Sequence, residues 1–469
     1  MKIQKIIFSD HPIFKNHEVD FEAEDTEFVF LVGNNGSGKT SVLETVYRIL
    51  TQGPRGVETY RIAFFFRLSP EELASLPDDS QPIKNHNIKL TLNFKNGGYW
   101  WGLTDRDGNA LTDQSRSPLD GGELLKIMKI IYSTVETSFK GESPKGVTAK
   151  NSDELEIPKE ESINLSKEIP QLLVDIKALD DAEGSFWLKN NEGKEVGVIP
   201  HIERKFDRFT NAFDILFDNS KKFIDIRNVN GAKSLIFKDK DGTEVGLESL
   251  STGECQVIFR VAYILKNLGK LDGGIILIDE PELSLHPLWQ EKYRDFLAKV
   301  FQGRDVQFII ATHSPYIFHG MNISKDVCVK INRREPRSSC INLKIGGGLE
   351  LSPNLVSYLA YDISSTSLHI ELFALLFQKV FNDVSAELKE LNEWLQSPEG
   401  GSLPIEKSFS RVGKNGNYKV ENETLPVWIR NKIHHPEEGA RPDFSRDDLR
   451  RSLDVMIKLL RTHEQVRAI

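Results

Sequence analysis

The feature that most constrains this chain is a transition, within residues 28–50, from an apolar run to a glycine-rich loop and then to an amphipathic segment. The run Phe28–Val32 is typical of a buried parallel strand, and the segment Ser41–Leu50 carries apolar residues at the spacing of one helix face. The loop between them has the pattern G-x-x-x-x-G-K-[ST], in which glycines let backbone N–H groups surround phosphate oxygens. We therefore favour a phosphate-binding loop over a structural glycine turn followed by an exposed lysine.

The same pattern predicts roles for individual side chains. We expect Lys39 to reach the β- and γ-phosphates of a nucleotide, and Thr40 to bind Mg²⁺ through its hydroxyl. The helix that follows directs the positive end of its dipole at the same phosphates. The predicted nucleotide-binding residues are Gly33, Asn34, Asn35, Gly36, Ser37, Gly38, Lys39, Thr40 and Ser41.

The charge and cysteine content of the chain limit its possible partners and cellular compartment. A formal net charge of −9 gives no overall attraction for nucleic acid, so any such contact requires a local basic patch. The three cysteines have no metal-ligand spacing, which is typical of a reduced compartment. No apolar run is long enough to cross a membrane, and the first residues carry too short an apolar run for a signal peptide. We expect a cytoplasmic protein with no membrane partner.

A second apolar run, Ile275–Ile278, ends in two carboxylates, Asp279 and Glu280. We expect Asp279 to hold Mg²⁺ opposite the phosphate loop, and Glu280 to accept the proton of an attacking water molecule. Any buried strand can end in Asp-Glu by chance. This one follows a phosphate loop and precedes another strand that ends in a histidine, so we favour the catalytic interpretation.

That histidine is His313, which comes just after the apolar run 307–311. A neutral imidazole at this place can hydrogen-bond the γ-phosphate and orient the water molecule. The alternative is a solvated histidine at a strand end. The order of the motifs along the chain favours the functional interpretation.

The segment LSTGE, residues 250–254, predicts the start of a helix. Ser251 and Glu254 have the spacing of a capping box, in which each side chain bonds a backbone N–H of the first turn. The hydroxyl of Ser251 and the backbone N–H of Gly253 would then lie at a helix N-terminus, which attracts anions. The sequence therefore contains a second candidate phosphate site.

The phosphate loop, LSTGE, IILIDEP and ATHSP, in this order, resemble the head of ATP-binding-cassette (ABC) ATPases, in the branch that includes RecF, SMC and OLD-like proteins. The resemblance implies an α/β P-loop head with a mixed sheet, and ATP and Mg²⁺ as cofactors. In such heads the signature segment of one protomer binds the γ-phosphate held by another. It therefore implies a head-to-tail homodimer or higher oligomer, with Ser251 and Gly253 acting in trans.

One element of the family pattern is missing. ABC heads place a glutamine, which touches Mg²⁺ and the water molecule, between the first sheet and the helical lobe. The matching stretch here, residues 128–141, contains no glutamine. Either Ser133 or Glu136 replaces it, or the contact comes from elsewhere.

We predict four parts along the chain. Residues 1–140 and 219–350 form the ATPase head, with an inserted helical lobe at 141–218. Residues 351–469 form a C-terminal, mainly α-helical domain for an effector or partner, with helices at 366–396 and 445–462 and no strand after Ser352.

The C-terminal part contains Arg430, Asn431 and His435 in a pattern that resembles the HEPN ribonuclease motif. That resemblance implies metal-free RNA cleavage, with Arg430 and His435 acting on the ribose hydroxyl and the phosphate. The alternative is a helix end at which histidines bond the last carbonyls before Pro436. A Toprim nuclease is rejected, because no D-x-D follows a strand in this region.

The whole chain resembles the PtuA ATPases of Septu and some retron anti-phage systems. The stretches that carry this resemblance are IPQLLVDIKALDDAE, RFTNAFDILFD, LSTGECQVIFR and RNKIHHPEE. It implies a sensor and scaffold ATPase that controls a separate HNH nuclease and meets nucleic acid, tRNA or phage DNA, through the complex. A PARIS-type defence ATPase, a self-contained ATP-gated HEPN-like ribonuclease and a RecF-like DNA repair ATPase remain open.

Overall fold

The structure is a computed structural model of the chain. It describes residues 2–21, 26–51, 60–67, 89–95, 98–104, 129–134, 147–148, 165–190, 204–218, 220–266, 273–283, 285–322, 324–341, 343, 352–381, 387–412, 418–434 and 444–467. The chain divides into two compact units, Met1–Cys340 and Ile341–Ile469.

The described residues of the first unit form three sheets and five α-helices. Its strands are β1 (Lys2–Asp10), β2 (His17–Asp20), β3 (Phe28–Val32), β4 (Arg61–Arg67), β5 (Lys89–Lys95), β6 (Gly98–Thr104), β7 (Ile130–Ser133), β8 (Lys221–Val229), β9 (Ala232–Asp239), β10 (Glu244–Gly246), β11 (Ile275–Asp279), β12 (Gln307–Ala311), β13 (Val327–Lys330) and β14 (Ser339–Cys340). Its helices are α1 (Lys39–Thr51), α2 (Leu165–Asn190), α3 (Asp207–Phe217), α4 (Thr252–Leu265) and α5 (Pro287–Val300).

The central sheet of this unit places the predicted motifs at one edge. Its strand order is β14-β13-β3-β12-β11-β7, and all neighbours are parallel except β13 and β14. Every residue of β3, β11 and β12 is buried, as the continuous apolar runs predict for a parallel sheet covered on both faces. Because β11 and β12 run in register, with Asp279 opposite Ala311, the motifs that follow these strands emerge side by side.

A second, antiparallel sheet of order β2-β1-β4-β5-β6 shares a core with α1 and the central sheet. Phe8, Phe64 and Phe66 are fully buried in this core with Leu31 and Leu43. Three further strands form a separate sheet of order β10-β9-β8. The predicted fold class, an α/β head with a mixed sheet, is confirmed.

The second unit is mainly helical, as predicted. Its elements are α6 (Pro353–Tyr361), α7 (Thr366–Val380), α8 (Leu388–Gln396), β15 (Ile405–Val412), β16 (Tyr418–Thr424), α9 (Leu425–His434) and α10 (Arg446–Arg467). Leu372 and Leu376 of α7 pack with Leu453, Met456 and Leu460 of α10 in one apolar core. This unit therefore has a core of its own.

Two predictions for the second unit are wrong. Strands do occur after Ser352, because β15 and β16 pair as an antiparallel hairpin. Phe409 anchors the hairpin in the core, and the indole N–H of Trp428 donates to the carbonyl of Ser408 at 3.2 Å. Tertiary contacts of this kind override a sequence rich in charged residues, which by itself has little strand character.

The predicted helical run 366–396 is interrupted. The helix α7 ends at Val380, and α8 begins after Glu387, whose side chain forms a capping box with Glu390. The carboxylate of Glu387 thus takes the place of the usual serine or aspartate at a helix start, and the interruption was not predicted.

The proposed four-part division stays a prediction. Within the interval 141–218, the described residues include the helices α2 and α3. Among the described residues, no helix is long and apolar enough to cross a membrane.

Candidate phosphate-binding and catalytic site

The glycine-rich loop joins the buried strand β3 to α1 and requires glycine at specific positions. Gly33 and Gly38 have φ angles of +140° and +106°, which L side chains rarely adopt. A Cβ atom on Gly33 would lie 2.6 Å from the carbonyl oxygen of Ile331, and one on Gly38 would lie 2.4 Å from the ring of Phe14. The loop therefore keeps a backbone surface that no side chain can cover.

Two other loop residues fit a phosphate ligand. The hydroxyl oxygen of Ser37 is buried, and among the described residues it has no hydrogen-bond partner. Asn34 and Asn35 are exposed at the tip, and the carbonyl of Asn34 accepts a 3.0 Å hydrogen bond from the N–H of Ser37. An unpaired buried hydroxyl inside a cradle of backbone N–H groups is suited to an oxyanion.

Lys39, the first residue of α1, is buried and reaches across the sheet edge. Its ammonium donates to the carbonyl of Gly33 at 2.9 Å and to Nε2 of His313 at 2.9 Å. Burial lowers the pKa of Lys39 to about 8, against the opposing effect of the carboxylates of Glu280 and Asp279. The cation is thus held by weak neutral partners, which a phosphate would replace.

Thr40 and Asp279, for which the sequence predicts Mg²⁺ binding, are in hydrogen-bond contact. The Thr40 hydroxyl donates to Oδ1 of Asp279 at 3.2 Å, and Asp279 is 2% exposed. Burial raises the pKa of Asp279 to about 6, which the hydrogen bond from Thr40 partly opposes. No group of three or more His, Cys, Asp or Glu side chains among the described residues is arranged to hold a metal ion. A hydroxyl and a single carboxylate fit Mg²⁺, which keeps several waters and takes further ligands from phosphates.

Glu280 follows Asp279 with a left-handed backbone, at φ +42°. Its N–H donates to the carbonyl of Ala311 at 2.9 Å, and its Oε1 lies 3.5 Å from Nε2 of His313. This conformation is uncommon for a residue with a Cβ atom, and it turns the side chain away from the line of β11. The backbone at the end of the strand therefore directs the carboxylate toward His313.

His313 lies between Lys39 and Glu280, with Nε2 2.9 Å from the ammonium and 3.5 Å from the carboxylate. Its pKa is lowered below 6.5 by burial first and by the charge of Lys39 second. Because the ammonium of Lys39 can only donate, Nε2 of His313 is the acceptor and the ring proton lies on Nδ1. The structure thus brings Lys39, Glu280 and His313 together, and Thr40 and Asp279 lie in the same network.

Two residues near this network were missed by the sequence analysis. Glu282 accepts a 2.5 Å hydrogen bond from the backbone N–H of His313, and burial raises its pKa. Arg260 of α4 is 2% exposed and donates to the carbonyls of Asp279 and Glu280. The signals were available: a second carboxylate in DEPE, and one arginine inside the apolar run VIFRVAYIL.

The LSTGE segment forms the predicted capping box at the start of α4. The N–H of Ser251 donates to the carboxylate of Glu254 at 2.7 Å, and the N–H of Glu254 donates to the Ser251 hydroxyl at 3.3 Å. The ammonium of Lys221 lies 3.2 Å from the Glu254 carboxylate and balances its charge. In this arrangement Ser251 is exposed to solvent and Gly253 is half-buried. The helix N-terminus therefore remains an accessible, positively polarised anion site.

Two residues, Ser133 and Glu136, are candidates to replace the missing glutamine. Ser133 ends β7, next to β11, with its buried hydroxyl oxygen lacking a hydrogen-bond partner among the described residues. Glu136 lies outside the described residues. Ser133 is thus available for a contact beside Asp279.

The predicted ribonuclease residues lie at a large cavity of the second unit. Arg430 and Asn431 line a space of about 770 Å³, whose other lining residues include four glutamates, Glu387, Glu393, Glu421 and Glu423. Asn431 is buried and holds its neighbours, because it accepts from Arg430 at 2.9 Å and donates to Glu423 at 2.7 Å. His435 lies outside the described residues. The described part of the motif is therefore a hydrogen-bonded group within an acidic lining.

Comparison with known proteins identifies the family. Residues 28–318 match the family model described as "AAA domain, putative AbiEii toxin, Type IV TA system". The "Retron Vc95 probable ATPase" of Vibrio cholerae serotype O1 biovar El Tor is 25% identical over 370 residues, which cover 68% of this chain and 71% of that protein. The "Septu protein PtuA" of Bacillus thuringiensis is 30% identical over 141 residues, covering 28% of this chain and 34% of that protein.

Among solved structures, the chain is similar to an SMC head bound to the C-winged helix domain of ScpA, with 16% sequence identity and a TM-score of 0.41. The alignment covers 73% of this chain and 97% of the SMC head chain. The resemblance to retron and PtuA ATPases that the motifs predicted is confirmed by the sequence relatives. Because the family model spans more than half of its residues, the chain belongs to the AAA-domain family described as "putative AbiEii toxin, Type IV TA system".

Proposed function

We propose that this protein is an ATPase that binds ATP with Mg²⁺ in the loop Gly33–Ser41 and hydrolyses it. One observation carries the proposal: Lys39, His313 and Glu280 converge, with Nε2 of His313 2.9 Å from the ammonium and 3.5 Å from the carboxylate. A cation for phosphate, a carboxylate for the water proton and a neutral imidazole are what phosphoryl transfer to water requires. The family match and the name of the retron relative support this activity.

Each residue has one task in the proposed reaction. Lys39 exchanges its bonds to Gly33 and His313 for the β- and γ-phosphates of ATP. His313, released from Lys39, hydrogen-bonds the γ-phosphate and orients the water molecule. Glu280 accepts the proton of that water molecule. Thr40 and Asp279 would hold Mg²⁺, which would supply positive charge against the phosphates. Ser133 is the proposed replacement for the missing glutamine.

The site is proposed to be completed by a second copy of the chain. The accessible N-terminus of α4, with Ser251 and Gly253, would bind the γ-phosphate of the partner's ATP, so that two ATP molecules lie between two heads. Groups supplied in trans to a transferring phosphoryl can raise the rate by roughly 10³–10⁵-fold. Hydrolysis would therefore depend on dimerisation or on a larger assembly.

The biological role is proposed from the relatives. The protein would serve in bacterial anti-phage defence as a cytoplasmic sensor and scaffold that controls a separate HNH-type nuclease, and would meet nucleic acid through that complex. The retron and Septu names of the relatives support a defence role. The self-contained ribonuclease is less favoured, because an acidic cavity lining repels RNA phosphates.

The test is the mass of the protein with and without ATP. We expect Glu280→Gln with ATP and Mg²⁺ to form a stable dimer or larger assembly by light scattering, because ATP binds but is not consumed. Lys39→Ala is the matched control and should keep the mass of the nucleotide-free protein. An unchanged mass of Glu280→Gln with ATP demonstrably bound would contradict the head-to-tail assembly.

A further inference from the structure

Arg260 is a buried arginine that joins α4 to the catalytic end of β11. Its Nη1 donates to the carbonyl of Asp279 at 2.9 Å and to the carbonyl of Glu280 at 3.2 Å. The residue is 2% exposed, on a helix whose residues from Cys255 to Leu265 are all buried. One guanidinium nitrogen therefore holds two consecutive carbonyl groups at the end of the strand.

A guanidinium in the core is destabilising unless hydrogen bonds and nearby negative charge compensate for its desolvation. An apolar side chain would fill this buried position without that penalty. Arg260 bonds both carbonyl groups of the segment that carries the two acidic residues, and this segment includes the left-handed Glu280 at φ +42°. Strained backbone of this kind persists where the surroundings hold it, and here Arg260 does so.

Because Arg260 lies on α4, it connects the N-terminus of that helix with the end of β11. The same helix begins at the capping box of Ser251, which is the proposed contact for the phosphate of a partner. A buried helix moves as a unit, so a shift at its N-terminus also moves the guanidinium that holds the carbonyl of Glu280. Phosphate capture at one site and placement of the general base at the other would thus be linked within one protomer.

We infer that Arg260 is a positioning residue that holds the backbone of Glu280 and ties the placement of this general base to the helix of the LSTGE segment. This inference rests on the proposed ATPase, because it concerns the residue assigned to accept the water proton. It adds a residue and a route of coupling to that function.

Arg294 provides a matched control. Its side chain is 12% exposed, forms a 3.0 Å ion pair with Asp326 and lies 4.7 Å from the ring centre of Phe28. Arg294→Met therefore removes a largely buried guanidinium from the same unit without touching the peptide of Glu280. Any effect of Arg260→Met that Arg294→Met shares is an effect on stability alone.

The first readout is the steady-state kinetics of ATP hydrolysis in the wild-type protein, Arg260→Met, Arg260→Lys and Arg294→Met. A misplaced general base should lower kcat of Arg260→Met by roughly tenfold to a hundredfold, with KM and ATP affinity little changed. Arg260→Lys, which keeps the positive charge and N–H donors on a shorter side chain, should recover part of the loss and serves if the methionine variant does not fold. Arg294→Met should keep kcat within about threefold.

The second readout needs no hydrolysis. Hydrogen exchange of the amides in residues 279–283, measured without nucleotide, should rise in Arg260→Met and not in Arg294→Met. Equal exchange in the two variants, or an unchanged kcat in both Arg260 variants, would overturn the inference. Absence of hydrolysis in the wild-type protein would instead contradict the proposed function, and the exchange comparison would still decide whether Arg260 holds this peptide.

Discussion

The ammonium of Lys39 lies 2.9 Å from Nε2 of His313, although the two residues come from opposite ends of the first unit's sequence. Each side chain would bond the γ-phosphate of a bound nucleotide. Without a nucleotide, Lys39 and His313 bond each other instead. Burial lowers the pKa of both groups, to about 8 for Lys39 and below 6.5 for His313. The pair is therefore a neutral acceptor and a desolvated cation, which an incoming phosphate separates at little electrostatic penalty.

Replacement of His313 should reduce turnover and spare binding. We expect His313→Ala to lower kcat by roughly 10²-fold, as for loss of one group that hydrogen-bonds the reacting phosphate, while ATP affinity changes little. His319, which is exposed, provides the control His319→Ala with unaltered kcat. Phosphate release and nucleotide binding measure the two quantities, and an equal loss in both variants would contradict the assigned role.

Substitution of Gly38 should remove nucleotide binding without unfolding the protein. A Cβ atom there meets the Phe14 ring at 2.4 Å and requires a φ of +106°, so the loop must move away from its phosphate-binding shape. We expect Gly38→Ala to weaken ATP binding at least tenfold, which corresponds to about 1.4 kcal/mol. At Gly36, where an added Cβ meets nothing within 4 Å, Gly36→Ala should have a smaller effect. Calorimetric titration of both variants decides the comparison.

Ser133 offers a test of the missing glutamine contact. The Ser133 hydroxyl has no hydrogen bond to lose among the residues that the structure describes. If it serves the hydrolytic site, Ser133→Ala should therefore lower kcat at an unchanged melting temperature. Thermal unfolding and ATPase rates are measured on the same sample. A kcat equal to that of the wild-type protein would direct attention to Glu136 instead.

His369 should make the stability of the second unit dependent on pH. It is fully buried beside Ser452, and burial lowers its pKa to about 3 from an ordinary value of 6.5. Between these values the unfolded chain binds a proton that the folded chain does not, so stability falls as the pH decreases below 6.5. At pH 5 the contribution of this group is a loss of about 2 kcal/mol.

Substitution of His369 can isolate its contribution to the pH dependence of stability. His369→Gln keeps a polar group near Ser452 but does not titrate, so the difference in unfolding free energy between wild type and variant should change by about 2 kcal/mol from pH 8 to pH 5. Denaturant unfolding at both pH values, followed by tryptophan fluorescence, to which Trp428 of the same core contributes, provides the measurement. A constant difference would mean that His369 is not held neutral.

Substitutions of Arg430 and Asn431 can distinguish a ribonuclease site from a structural role of these residues. Asn431→Ala should destabilise the second unit by about 1–3 kcal/mol, because it leaves buried hydrogen-bonding groups of Glu423 without this partner. Arg430→Ala should change stability little. Incubation of the purified protein with tRNA and ATP tests the catalytic alternative, since cleavage lost in Arg430→Ala would favour an in-chain nuclease and oppose the scaffold proposal.

Local sequence patterns predicted the phosphate loop, the capping box at Ser251 and the two strands that lead to Glu280 and His313. These features depend on neighbours in sequence: glycines at positive φ, a serine three residues before a glutamate, and continuous apolar runs. Parallel strands place their carboxyl ends at one edge, so the meeting of these motifs also follows from the pattern.

The contacts between segments that are distant in sequence are visible in the fold and not in the sequence pattern. The hairpin of β15 and β16 exists because Phe409 and Trp428 pack in the core of the second unit, and its charged sequence does not predict it. The sequence shows Arg260 inside an apolar run, but it does not show what this arginine binds, because its partners are carbonyl groups, which every residue has. Hydrogen bonds to the backbone carry no sequence signal of their own, and the fold alone selects which carbonyl a buried arginine meets.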